Sequence, residues 1–244
     1  ALPALTPRAW MRHDLIVERL RDLPSSASML EVGVGQGAMG VRLARRFAWT
    51  GVEADATSAA VAKHRLEQDG AAHQLHQTHF EDAPLEPPYD VLVAFEVLEH
   101  IEDDLAALRQ WYDLIAPGGR IVLSVPAWQD QFGPWDERVG HFRRYAPDEL
   151  CQRLTEAGFE LAETSLYGFP LGYILEAVRN VFARNRPQKP IVEATSQSGR
   201  LLQPDSRFAG AAAKALTAPF RVLHRMIEFR RLGTGLVASA RRPA

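Results

Sequence analysis

The stretch SMLEVGVGQGAMGVRLARRF, residues 28–47, runs from a short apolar segment through a glycine-rich turn into a helical pattern. Met29, Leu30 and Val32 suit a buried strand, and Gly33, Gly35 and Gly37 let the backbone turn tightly and come close to a ligand. A helix that starts just beyond such a turn offers free N–H groups to whatever is bound there. The same alternation continues downstream. WTGVEAD (49–55) reads as a strand, and TSAAVAKHRLEQDG (57–70) as a helix with Thr57 as N-cap and Gly70 as stop. AHQLHQTHF (72–80) is a weaker strand, YDVLVAFE (89–96) a strong one, DDLAALRQWYDLI (103–115) a helix and RIVLSVP (120–126) a fifth strand. Alternating β and α patterns of this kind indicate a parallel sheet.

Beyond residue 126 the pattern changes. AWQDQFGPWDERVGHFRRY (127–145) is aromatic and charged with no sustained period, which reads as a long functional loop. APDELCQRLTEAG (146–158) is a helix with Pro147 in its first turn. FELAETSLYGF (159–169) and GTGLVASARR (233–242) alternate like strands, with amphipathic, arginine-studded sequence between them. The expected architecture is α/β: a Rossmann-like, seven-stranded, mostly parallel sheet with helices on both faces and a helical insertion before the last strand. One domain is expected over 1–244, with its core at about 8–169 and 232–242, a substrate loop at 127–145 and a helical cap at 170–231.

The 244 residues suffice for a large core, and 46% apolar with 24% charged residues is ordinary for a globular chain. A single cysteine, Cys151, excludes an internal disulfide framework, fits a reducing cytoplasm, and reads as a small buried apolar residue. No run approaches the roughly 18 apolar residues of a membrane span. The first residues lack a signal peptide's order of basic then apolar, although a chain starting without Met leaves a removed leader open. Net charge is −2, unevenly spread: from Arg179 to Ala244 there are 13 Lys/Arg against three acids, which leaves the first 178 residues with 15 basic and 27 acidic groups. The dinucleotide fingerprint would put a third glycine at position 38, where this chain has Ala, so a nicotinamide-dependent dehydrogenase is a distant reading. Glu53, 20 residues beyond Gly33, suits the hydroxyls of a ribose. Glu31, beside the first glycine, would repel a pyrophosphate and attract an ammonium or sulfonium.

LEVGVGQG (30–37), GVEAD (51–55), YDVLVAFEVLEHIEDD (89–104), IAPGGRIVLSVP (115–126) and RRYAPDELCQRLTEAGFE (143–160), in that order, resemble the class I S-adenosylmethionine-dependent methyltransferases. The resemblance covers roughly residues 8–169 and the last strand. It implies a seventh, antiparallel strand inserted beside the sixth, and S-adenosylmethionine as cofactor. It also implies that Glu31, Gly33, Gly35 and Gly37 face the methionine part and that Glu53 and Ala54 face the ribose. His79, Phe80 and Glu81 would contact the adenine, with His79 where relatives often have Asp. Phe95 and Glu96 would edge the sulfonium. Trp10 and Arg12 would lie on an N-terminal lid helix, with Arg12 on the cofactor carboxylate; the plainer reading of Trp10 is packing on the sheet.

Glu96, Glu99 and His100 form a Glu-x-x-Glu-His motif that admits three readings. It is a wall in which Val97, Leu98 and Ile101 pack. Alternatively Glu96, Glu99, His100 and His141 hold a divalent Mg, Mn or Zn, as the resemblance of this segment to small-RNA 2′-O-methyltransferases and quinone-ring O-methyltransferases implies. Or His100 or His141 removes the acceptor's proton, which makes Glu96, His100 and His141 the catalytic candidates. Trp128, Trp135, Arg143, Arg144 and Tyr145 are the acceptor-site candidates; the two arginines would fork a phosphate or carboxylate, or pair with Asp136 and Glu137 to order the loop.

The basic last third would cap the acidic body or form a homodimer contact. It would otherwise touch an anionic membrane, with nucleic acid the least favoured partner. The expected activity is methyl transfer to a hydroxyl, less readily an amine, of a small or lipid-linked acceptor by a cytoplasmic protein that is soluble or peripheral at the membrane. The alternatives are a metal-dependent RNA 2′-O-methyltransferase and a non-catalytic cofactor-binding partner subunit.

Overall fold

The computed structural model describes residues 2–184, 204, 207–226 and 232–244. Its elements in chain order are α1 (Pro7–Arg19), β1 (Ser28–Val32), α2 (Gly40–Ala44), β2 (Ala48–Val52), α3 (Ala56–Asp69), β3 (His73–His76), β4 (Tyr89–Phe95), α4 (Asp104–Leu114) and β5 (Ile115–Pro126). They are followed by α5 (Pro134–Val139), α6 (Pro147–Glu156), β6 (Glu160–Tyr167), α7 (Leu171–Arg184), α8 (Arg207–Met226) and β7 (Gly235–Arg241). The seven strands form one sheet in the order β3-β2-β1-β4-β5-β7-β6, parallel except for β7, which runs antiparallel between β5 and β6. This is the expected Rossmann-like sheet.

The central strands are apolar on both faces because both faces are covered. Along β4, Leu92 and Ala94 join a core that contains Trp111 of α4 and Leu150 and Leu154 of α6. Val91, Val93 and Phe95 point the other way, into a core with Met11, Leu15 and Ile16 of α1 and Ala62 and Leu66 of α3. The strand order reverses between β1 and β4, so the connections leave in opposite directions there and open a crevice at the strands' carboxyl ends.

Three local expectations need correction. The cap of α3 is Asp55, not Thr57: its carboxylate accepts the Ser58 N–H at 2.9 Å and starts the helix one residue ahead of Thr57. The segment 127–145 is not loop throughout. Pro134 opens α5, Asp136 accepts the Gly133 N–H at 2.9 Å and Gly140 ends the helix in the left-handed conformation. Cys151 is half-buried on α6, not fully buried.

After β6 the chain leaves the sheet for α7 and α8 and returns at β7. α7 packs on α5, and α8 packs on α1, with the Lys214 ammonium 5.2 Å from the Trp10 ring centre. Among the described residues no helix is long and apolar enough to cross a membrane.

The glycine turn after β1 serves two purposes. Gly35 has φ +57° with open space where a side chain would go. Gly37 has φ +74°, and a Cβ there would sit 2.9 Å from the Ala62 Cβ and 3.0 Å from its Cα on α3. Gly37→Ala is therefore expected to cost about 2–4 kcal/mol, from left-handed strain plus overpacking, against about 1–2 kcal/mol for Gly35→Ala. Thermal unfolding checks this: equal losses would mean that Ala62 yields freely.

Candidate active site

The crevice between β1 and β4 deepens into a cavity of about 1070 Å³. Its floor is the turn after β1, its sides are the ends of β2 and β4, and α1, α5 and α7 roof the far end.

At the near end the Gly35 N–H donates to Glu53 Oε2 at 2.6 Å, and the Asp55 N–H donates to Glu53 Oε1 at 2.8 Å. Burial raises the Glu53 carboxyl above its usual range, against the pull of these N–H groups. Ala54, His79, Phe80 and Glu81 continue this wall. Glu31 lies deeper. Its carboxylate accepts the Trp49 indole N–H at 2.9 Å, and burial, reinforced by the charge of Glu53, raises its pKa to about 8 despite that bond and Arg12. Gly33 and Gly35 line the cavity. Gly37 does not, because its place is taken up by packing on α3.

Glu96 follows β4 with φ +59°, a left-handed backbone on a non-glycine residue. Its carboxylate accepts hydrogen bonds from Ser124 Oγ and the Tyr167 hydroxyl, each at 3.1 Å, and pairs with Arg8 at 3.2 Å and Arg12 at 3.5 Å. Burial pushes its pKa up, but the two guanidiniums hold it at about 2. Phe95 lines the cavity beside it. Trp10 is buried but does not line the cavity; it packs beneath the Arg42 guanidinium, 5.5 Å from its ring centre.

The short 3₁₀ turn Leu98–His100 places Glu99 and His100 against His141 of the segment after α5. The Glu99 side chain is fully buried, and among the described residues neither of its carboxyl oxygens has a hydrogen-bond partner. Burial and the neighbouring charge of Glu96 raise its pKa well above the usual range. His141 Nε2 lies 3.9 Å from Glu99 Oε1, while His141 Nδ1 bonds Asp136 Oδ1 at 2.7 Å. The His100 and His141 rings meet edge to face with centres 4.5 Å apart, and burial followed by the charge of His141 lowers His100 to about 4. One ligand atom from each of Glu99, His100 and His141 falls within a 4.8 Å span, a group that could close on a cation. Glu96 is not part of this group; its carboxylate is taken by Arg8 and Arg12.

Of the five residues expected to meet an acceptor, Trp135 and Arg144 line the cavity and Trp128, Arg143 and Tyr145 do not. Arg144 is spent on its own protein: it pairs with Asp136 at 2.7 Å and with Glu176 at 3.1 Å, so it orders the segment instead of reaching for a ligand. Arg143 turns outward to Asp104 at 3.1 Å. Tyr145 is fully buried and donates to Asp104 at 3.0 Å; burial, then the charge of Asp104, raises its pKa above the usual range. Trp128 packs on the core formed with α4 and α6.

The cavity also contains Arg8, Glu176, Arg179 and Asn180, which the sequence reading passed over. A signal for them existed. Arg8 lies four residues before Arg12, and Glu176, Arg179 and Asn180 stand at i, i+3 and i+4, so each set shares a helix face.

Comparison with known proteins agrees with this geometry. Residues 7–164 match a family described as a methyltransferase domain. A ubiquinone biosynthesis O-methyltransferase of Aeromonas salmonicida is 37% identical over 100 residues, covering 39% of this chain and 42% of that protein. The protein of the same name from Pseudomonas syringae pv. syringae is 36% identical over 137 residues, covering 50% of this chain and 59% of the relative. The chain thus spans about half the length of these curated relatives. Among solved structures, the YcgJ protein of Bacillus subtilis superposes with a TM-score of 0.64 at 13% identity, covering 95% of this chain and 97% of that one. Phosphoethanolamine N-methyltransferase 2 of Haemonchus contortus, in complex with S-adenosyl-L-methionine, superposes with a TM-score of 0.63 at 17% identity, covering 96% and 52%. Likeness at such identity speaks for the fold, while the family match spans well over half of the chain. With its glycine turn at a reversed strand order and acids at the ends of β1 and β2, this chain belongs to the class I S-adenosylmethionine-dependent methyltransferases.

Proposed function

We propose that this protein transfers a methyl group from S-adenosylmethionine to an oxygen of a small-molecule acceptor, next to a divalent cation held by Glu99, His100 and His141. The observation that carries the cation is the Glu99 carboxyl, fully buried, without a hydrogen-bond partner among the described residues and facing two imidazoles. Leaving a buried carboxyl unpaired costs about 1–3 kcal/mol or more, so a cation fits where the protein supplies nothing. One carboxylate with two imidazoles suits Zn or Mn better than Mg, and three protein ligands leave positions open. A cation there would supply Lewis acidity to an acceptor hydroxyl and ease loss of its proton. The O-methyltransferase names of the curated relatives support oxygen as the accepting atom.

The other residues bind and orient. S-adenosylmethionine, when bound, supplies the electrophilic methyl. Glu53 would accept ribose hydroxyls beside the Gly35 N–H, and His79, Phe80 and Glu81 would flank the adenine. Glu31 would meet the ammonium of the methionine part. Asp136, bonded to His141 Nδ1, orients the ring so that Nε2 faces Glu99. That same pair favours a second reading, in which His141 takes the acceptor proton directly. Metal analysis separates the two. Stoichiometric Zn or Mn lost in His100→Ala and Glu99→Gln, together with activity abolished by chelation and restored by metal, supports the cation. Full activity in chelator with no bound metal would leave only the base.

Glu31 provides a test of the cofactor's orientation. Its folded value of about 8 lies above the ordinary 4.5, so the stability it contributes is present below pH 4.5 and is lost as pH rises through about 8. Glu31→Gln is therefore expected to melt higher than the parent at pH 9. It should also bind S-adenosylhomocysteine about tenfold more weakly at pH 7.5, having lost the ammonium's counter-charge. Calorimetric binding as tight as the parent's would remove Glu31 from that role.

A lipid-linked acceptor is supported by the outer face of α7, where Ile174, Val178 and Val181 are more than half exposed along one stripe. Sedimentation with phosphatidylglycerol vesicles should then fall several-fold when Ile174 and Val178 become Ser. Unchanged sedimentation would favour a soluble acceptor.

A further inference from the structure

At the far end of the cavity one arginine stands outside the ion-pair network that joins the others. Four guanidiniums, those of Arg8, Arg12, Arg144 and Arg179, stand among three paired carboxylates, Glu96, Asp136 and Glu176. Arg8 is shared between Glu96 at 3.2 Å and Glu176 at 3.3 Å, Arg12 reaches Glu96 at 3.5 Å, and Arg144 is held by Asp136 and Glu176. Arg179 is left over. Among the described residues its guanidinium makes no ion pair or hydrogen bond, and its Nε is buried without a partner. Burial, then the charge of Arg8, lower its pKa to about 10, which leaves it cationic at neutral pH.

Its position is built. The guanidinium lies 5.1 Å from the ring centre of Trp135, and the next residue, Asn180, accepts the Trp135 N–H at 3.0 Å, tying α7 to α5. The arginine is thereby braced on an aromatic face with its donors unspent, in the manner of a prepared oxyanion site. The opposite end of the cavity, with Glu53, Glu81 and the glycine turn, is where an adenosine would fit, and there the charged side chains are acidic.

We infer that Arg179 binds an anionic group of the methyl acceptor, a carboxylate or a phosphoryl, and so selects acceptors that carry one. Arg143 and Arg144, the arginines that the sequence pattern points to for this task, are consumed by Asp104, Asp136 and Glu176. The site deepens the function proposed above and rests on it for where the cofactor lies.

The test is calorimetric titration of the full chain, saturated with S-adenosylhomocysteine and kept in chelator so that no cation can hold the anion. The probes are benzoate, phenyl phosphate and phenol. Benzoate or phenyl phosphate should bind at least about tenfold tighter than phenol, and the tighter of the two identifies the anion. Arg179→Gln should erase that preference, Arg179→Lys should keep part of it, and affinity for S-adenosylhomocysteine should change less than about threefold in both. Three results would overturn the inference: no preference for the anions in the parent, a preference that survives Arg179→Gln, or a loss of S-adenosylhomocysteine affinity as large as the loss of preference. The last would assign Arg179 to the cofactor's own carboxylate. If the parent binds no S-adenosylhomocysteine, the cofactor reading fails, and the anion preference with its dependence on Arg179 is read on the free protein.

Discussion

At the end of β4 the carboxylate of Glu96 sits in the cavity wall with Arg8 at 3.2 Å, Arg12 at 3.5 Å and hydroxyls from Ser124 and Tyr167. A buried charge is tolerated only when it is paired and hydrogen-bonded, and removing one partner from such a group costs about 3–5 kcal/mol. The requirement propagates. Arg8 also needs Glu176 of α7, Glu176 also takes Arg144, Arg144 takes Asp136, and Asp136 takes His141 at 2.7 Å. One chain of charges thus runs from the sheet through α1 and the inserted helix to the histidine that faces Glu99. The N-terminal helix and the insertion are held over the cavity by electrostatics, and the orientation of His141 is a distant consequence of keeping Glu96 ionised.

Three glutamates near this cavity end in three states for different physical reasons. Glu96 is held at about 2 by arginines, Glu31 rises to about 8 because burial outweighs its indole N–H and Arg12, and Glu99 rises through burial and the charge of Glu96. Each departure from the ordinary value reports the balance of burial against the charges and donors at that place.

The acceptor candidates that lie outside the cavity lining share a feature. Tyr145, Arg143 and Trp128 lie in a segment whose polar and aromatic composition suggested a ligand, yet the segment spends those groups on Asp104 and on the core of α4 and α6. A chain crossing the mouth of a sheet must satisfy its own buried polar groups before it can offer any, and Tyr145 and Arg143 do this at one carboxylate. Gly37 belongs with them, since its missing side chain makes room for Ala62.

What the sequence alone determined is the sheet and the near half of the site. The alternation of apolar strands and helices, the glycines after β1, and the acids Glu31 and Glu53 at strand ends are local patterns, governed by periodicities of 2 and 3.6 residues and by backbone freedom. The Glu-x-x-Glu-His motif was visible as three residues, but its division, with Glu96 going to the arginines and Glu99 with His100 turning to His141, was decided by the left-handed backbone at Glu96 and the short turn after it. Only the tertiary structure joined Arg8, Glu176 and Arg179 to that motif. These residues are 80 or more positions from Glu96 along the chain, and which of four arginines is left with its charge unspent depends on how many carboxylates the fold brings within reach of each.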